Sequence, residues 1–148
     1  MTTLELAQVF EGERERAGAD ANPFIVWCLQ SCDPGATDDE VPWCSGFVSR
    51  MAERRHRGRS RSLRARSWLR EGQPTTLDEA VPGEDVVILK RGVEPQPGPD
   101  VIAAPGHVGF FAGREGDAVL IYGGNQSNKV GLARFPVTQI LGIRRLLA

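Results

Sequence analysis

Histidine is scarce in this chain: His56 and His107 are the only two among 148 residues. Together with three cysteines they supply too few ligands for a zinc cluster, and nothing else in the sequence suggests a metal or an organic cofactor. The cysteine count is odd, in a chain large enough to fold without a disulfide framework, so at least one thiol is expected to be free. Excess charge is also missing. Eighteen basic against nineteen acidic residues leave a formal net charge of -1, which argues against a protein that coats nucleic acid. No apolar run is long enough to cross a bilayer. The first residues, Met1-Thr2-Thr3-Leu4-Glu5, lack the basic region, apolar core and cleavage site of a signal peptide. The expectation is synthesis in the cytoplasm, with any extracytoplasmic substrate reached by another route.

The length suits one domain spanning residues 1–148. Helical signals come first and strand signals second, which predicts a segregated α+β fold. Thr3 can cap a short helix carrying Leu4, Leu6, Ala7 and Phe10. Asn22-Pro23 is a cap and first-turn pair for a second helix to about Cys32, with Phe24, Ile25, Cys28 and Leu29 on one face. Pro42 stiffens the entry to a third helix, in which Cys44, Phe47, Val48 and Met51 recur at helical spacing. Arg66-Ser67-Trp68-Leu69 reads as a returning helix. From Asp85 the period becomes that of strands. Val86-Val87-Ile88-Leu89 is a buried strand, and His107–Ala112 with Ala118–Tyr122 forms a hairpin. Arg134–Val137 and Ile140–Leu147 supply one or two closing strands, so the sheet is expected to be antiparallel.

Between Arg50 and Arg70 stand nine arginines, half of all the basic residues. One reading is a solvated helix end and loop, with stems on apolar surface and heads in water. The other is an electropositive rim that attracts an anionic polymer.

The chemistry concentrates at Cys44 and His107. A cysteine in the first turn of a helix meets unpaired backbone N–H groups and the positive end of the dipole, both of which favour a thiolate. Paired with an imidazole on another element, it has the minimum equipment for nucleophilic catalysis. His107 opens one strand of the hairpin and Asn125-Gln126 lies just past the end of its partner, so an amide can reach the ring and fix its tautomer. Asn125 is the first choice for that third position, Gln126 the second, and Asn128 a weaker one. Trp43 either walls a substrate groove or covers the helix end. Ser45, Asp39 and Tyr122 are further candidates for the cleft, although Asp39 and Glu40 equally suit helix capping. Gly123 and Gly124 suggest a bulge at the strand end. Cys28 and Cys32 read as helix-core residues and His56 as a surface residue.

Four strings in this order carry a resemblance: Asp39-Glu40-Val41-Pro42-Trp43-Cys44-Ser45-Gly46-Phe47-Val48, Arg66-Ser67-Trp68-Leu69, Gly106-His107-Val108-Gly109-Phe110, and Gly123-Gly124-Asn125-Gln126-Ser127-Asn128. From about Asn22 to Ile143 the chain resembles the NlpC-type and CHAP superfamily of small bacterial and phage hydrolases. The resemblance implies a papain-like fold, with Cys44 as nucleophile, His107 as base and a polar orienter near Asn125. It further implies cleavage of amide bonds in peptidoglycan, within the stem peptide or between muramic acid and the stem. Such an enzyme would act as a monomer in the periplasm or cell wall, after phage lysis or specialised secretion, and an immunity or inhibitor protein could guard the producing cell. The same catalytic pair would serve a cysteine protease, deamidase or acyltransferase acting on protein. A non-catalytic wall-binding module could retain the fold.

Overall fold

Six antiparallel strands form one sheet in the order β1-β6-β2-β3-β4-β5, and three short helices lie against it, in a computed structural model that describes residues 1–16, 21–38 and 42–148. The strands are Gln73–Thr75 (β1), Asp85–Lys90 (β2), Gly106–Glu115 (β3), Ala118–Gln126 (β4), Lys129–Pro136 (β5) and Ile140–Arg145 (β6). The helices are Thr3–Gln8 (α1), Pro23–Leu29 (α2) and Cys44–Arg54 (α3), with a 3₁₀ turn at Ala65–Arg70. Among the described residues no helix is long and apolar enough to cross a membrane.

Local chemistry accounts for the helix starts. Thr2, one residue earlier than expected, caps α1 by accepting from the Glu5 N–H at 3.1 Å. Asn22 caps α2 by accepting from the Phe24 N–H at 2.9 Å, with Pro23 in the first turn where no N–H is missed. That helix ends at Leu29, short of Cys32, because the chain turns at once toward Asp33. In α3 the cap residue is Trp43, whose side chain makes no capping bond. The capping expected of Asp39 and Glu40 lies outside the described residues.

The sheet has two apolar faces. Val86, Ile88, Val108, Phe110 and Tyr122 pack under the helices with Phe47, Val48, Met51 and Trp68. Val87, Leu89, Phe111, Val119, Ile121 and Ile143 form a second cluster, covered by Leu77, Ala80, Phe135 and Val137. The alternation in β2 therefore buries both faces, as its unbroken apolar run requires. The closing region is not a simple continuation of the hairpin. β5 pairs with β4, whereas β6 crosses back to lie between β2 and the short β1, a strand with no sequence signal of its own. Arg145 secures that crossing with a bidentate grip on fully buried Asp85, both contacts at 2.8 Å.

The arginine-rich segment is mostly internal stitching. Arg66 is fully buried and donates to the carbonyls of Pro97, Gly98 and Pro105, pinning the loop that leads into β3. Arg50 grips the Trp27 carbonyl and stacks 4.7 Å over the Trp27 ring, while Arg59 holds the Ser31 carbonyl. Arg57 pairs with Glu84 at 2.9 Å. Neither a solvated face nor a broad basic rim describes Arg50, Arg59 and Arg66, because carbonyls at helix and loop ends need donors and the guanidinium supplies several at once.

Candidate active site

Cys44 is the first residue of α3, and His107 is the second residue of β3. The helix approaches the sheet closely because Gly124 has no side chain: a Cβ there would come within 2.6–2.8 Å of Trp43 and Phe47. Phe47 also meets Phe110 edge-on at 6.3 Å, holding α3 over β3. The start of the helix therefore rests beside the start of the strand. Cys44 is 2 % exposed and His107 7 %, and the two side chains are close enough for each to shift the acidity of the other.

The second ring nitrogen is fixed by Gln126. Its Oε1 lies 2.9 Å from His107 Nε2, and its Nε2 donates to the carbonyls of Ile121 at 3.1 Å and Gly131 at 2.6 Å. Two carbonyls demand the NH₂ end, so the amide oxygen must face the ring. His107 Nε2 then carries a proton and donates it to Gln126, which leaves Nδ1 for the thiol. Phe135 packs beside the imidazole at 5.4 Å between centroids.

This geometry moves the third position from Asn125, the first choice from sequence, to Gln126. The reason is a β-bulge. Gly123 pairs with Gly131, but the next pair is Gln126 with Lys129, so β4 holds one residue more than β5 between them. Strict alternation from Ile121 and Gly123 would aim residue 125 toward the histidine. Asn125 instead occupies the extra position at φ 58°, a left-handed conformation that asparagine tolerates, and Gln126 inherits the inward direction. Asn128 is further from the site in role as well: with Ser127 it forms the two-residue hairpin loop, both at positive φ, the primed geometry that matches strand twist.

The electrostatics agree with the contacts. Burial alone would raise the Cys44 pKa, but the hydrogen bond from His107, its positive charge and the Val108 backbone N–H outweigh burial and hold the thiol below its ordinary value. Burial alone would lower the His107 pKa, yet the bond to Cys44, the charge of the thiolate and the bond to Gln126 raise it. Each partner therefore shifts the other toward its charged form, thiolate for Cys44 and imidazolium for His107. By contrast, burial raises the pKa of both Cys28 and Cys32, and neither has an imidazole partner.

The other cleft candidates are placed elsewhere. Trp43 is fully buried and donates from Nε1 to Glu15 at 2.8 Å, so it covers the core instead of walling a groove. Ser45 is fully buried, donating to the Ser62 carbonyl and accepting from Trp68 Nε1 at 2.8 Å. Tyr122 is 3 % exposed and bonds Glu11, and burial with that carboxylate pushes its pKa up to about 12. Asp39 lies outside the described residues.

Two cavities open on the site instead. One of 570 Å³ lies beside Cys44, between Leu63-Arg64-Ala65 and the loop carrying Ala103 and Pro105. One of 350 Å³ lies beside His107, with Asn125, Gln126 and Phe135 in its wall. Arg91 and Gly92 belong to both. The sequence marks these two only as the end of a strand, so their place at the site was not legible there. Comparison with protein-family models, curated proteins and solved structures finds no match to the chain.

Proposed function

We propose that the protein is a cysteine amidohydrolase or endopeptidase that cuts amide bonds in peptidoglycan. The observation that carries this reading is the alignment Cys44–His107–Gln126, in which a buried thiol is made more acidic by a ring whose far nitrogen is fixed by an amide. A helix bearing the thiol at its start, packed on an antiparallel sheet bearing the imidazole, is the layout expected of a papain-like enzyme. The peptidoglycan assignment rests on the resemblance of the four strings to NlpC-type and CHAP hydrolases.

In the proposed reaction the Cys44 thiolate attacks the substrate carbonyl. The first N–H groups of α3, that of Cys44 among them, have no acceptor within the helix and can hold the oxyanion, a donor whose loss usually costs about 10²–10³ in rate. His107, as imidazolium, gives its Nδ1 proton to the leaving amine. The neutral ring then takes a proton from water, which attacks the acyl-enzyme and releases the acid. Gln126 is a positioning residue: it holds the tautomer and gives no proton.

Incubation of purified protein with muropeptides, read by mass spectrometry beside Cys44→Ala, tests the reading. New termini at a stem-peptide or muramoyl-alanine amide, absent in the variant, are expected. Intact muropeptides would overturn it. Cleavage of protein substrates alone would favour the protease, deamidase or acyltransferase alternative, and identical binding by both proteins without cleavage would favour a wall-binding module.

A further inference from the structure

Leaving aside the catalytic pair itself, the charged side chains among the described residues that line the two cavities beside Cys44 and His107 are all basic. Among the described residues their ionised walls are Arg64, Lys90, Arg91 and Arg134, with no carboxylate in either. Three of the four are engaged. Arg134 pairs with Glu115 at 2.8 Å, Lys90 meets Glu94 at 3.7 Å, and Arg64 donates to the Ala103 carbonyl at 3.2 Å. Arg91 has no hydrogen-bond or ion-pair partner among the described residues, although it follows β2 directly and is the one cation shared by both cavities. Gly92, at φ 103°, turns the chain there and leaves the Arg91 side chain at the common rim. Its charge reaches both reacting groups, favouring the thiolate of Cys44 and opposing the imidazolium of His107.

An unpaired guanidinium at this point is poorly explained as support for the catalytic pair, since it helps one partner and hinders the other. Arg91 is exposed at this rim, where water satisfies it in the free protein and a ligand carboxylate can replace that water. From the position of Arg91 between the two cavities we infer that it is the substrate's carboxylate anchor, selecting amides flanked by a residue with a free carboxylate. This rests on the hydrolase reading and adds the substrate class to it. The planar fork suits a bidentate grip on a carboxylate, and a lysine in its place would keep the charge but lose the fork.

A substrate-independent probe separates this inference from the hydrolase reading. Iodoacetate and iodoacetamide both react by displacement of iodide by the Cys44 sulfur, and only the first carries a carboxylate. Any change in thiol ionisation affects both alike and cancels in their rate ratio. Wild type should favour iodoacetate relative to a small free thiol, Arg91→Gln should lower the ratio about five- to tenfold, and Arg91→Lys should recover part of it. Muropeptides with free stem carboxylates should likewise be cut faster than the same muropeptides with carboxamides, a preference that Arg91→Gln removes by slowing only the first. If the reagent ratio depends on Arg91 but no muropeptide is cut, the anchor stands and the hydrolase reading falls. If muropeptides are cut and both ratios ignore Arg91→Gln, the anchor is overturned alone.

Discussion

Cys28 and Cys44 sit on neighbouring helices that touch: a Cβ on Gly46 of α3 would lie 3.2 Å from the Cys28 carbonyl. Both side chains are almost wholly out of water, at 0 and 2 % exposure. Their acidities nonetheless diverge, Cys28 raised and Cys44 lowered. Burial is common to both, so it cannot be what makes a thiol reactive. The difference is the partner. Cys28 faces apolar core, where a charge is costly, whereas Cys44 has an imidazole, a backbone N–H and a helix start arranged around one sulfur.

The comparison breaks most completely at His107. Without the imidazole, Cys44 moves toward Cys28: burial remains and the two largest influences that offset it are gone. His107→Ala should lower kcat/KM by about 10³–10⁴ and abolish iodoacetamide labelling of Cys44 at pH 6, while mass spectrometry of the labelled wild type finds the reagent on Cys44 ahead of both other cysteines. Labelling of Cys32 at that pH in preference to Cys44 would remove the ion-pair assignment, all the more because Cys32 is the more exposed of the two.

A smaller break is expected at Gln126. Gln126→Ala leaves the pair in contact but frees the ring to turn, and a loss of about ten- to a hundredfold in kcat should follow. The sign of the pH dependence sharpens it. Thiolate is gained as pH rises through the lowered pKa of Cys44 and imidazolium is lost as pH rises through the raised pKa of His107, so the acid limb of the rate profile belongs to the thiol and the alkaline limb to the ring. Gln126→Ala removes one of the contacts that raises His107, and its alkaline limb should move to lower pH. A purely structural role would reduce the rate without moving that limb.

Periodicity and spacing made the chemistry-bearing elements legible: α3 begins at the cysteine, and the histidine and its amide lie on adjacent strands. What sequence could not give was a one-residue matter of alternation. Nothing in Gly123-Gly124-Asn125-Gln126 says where the extra residue of the bulge falls, and that residue decides which amide points inward. The arginine run misled for a related reason. Density of charge along the chain says nothing about which guanidinium groups turn inward to carbonyls, as those of Arg50, Arg59 and Arg66 do. Of the cations lining the two cavities, only Arg64 belongs to the run, and Arg91, shared by both, comes from outside it.

The smallest effect is expected at Asn125, and it distinguishes most finely between the two amides. Asn125 stands at φ 58° and touches the cavity beside His107, but the ring nitrogen is already bonded to Gln126. Glycine adopts that backbone conformation at no steric cost, so Asn125→Gly should preserve the bulge and hence the inward direction of Gln126. Activity should remain within about threefold of wild type, whereas Asn125→Val, β-branched and strained at positive φ, should destabilise the fold by about 1–3 kcal/mol in thermal unfolding and carry activity down with it. If Asn125→Gly were instead as damaging as Gln126→Ala while melting normally, the side chain itself would be at work, and the third position would return to Asn125. The bulge sets the expected order, because the residue that absorbs the extra length of a strand cannot also be the one whose side chain continues its alternation.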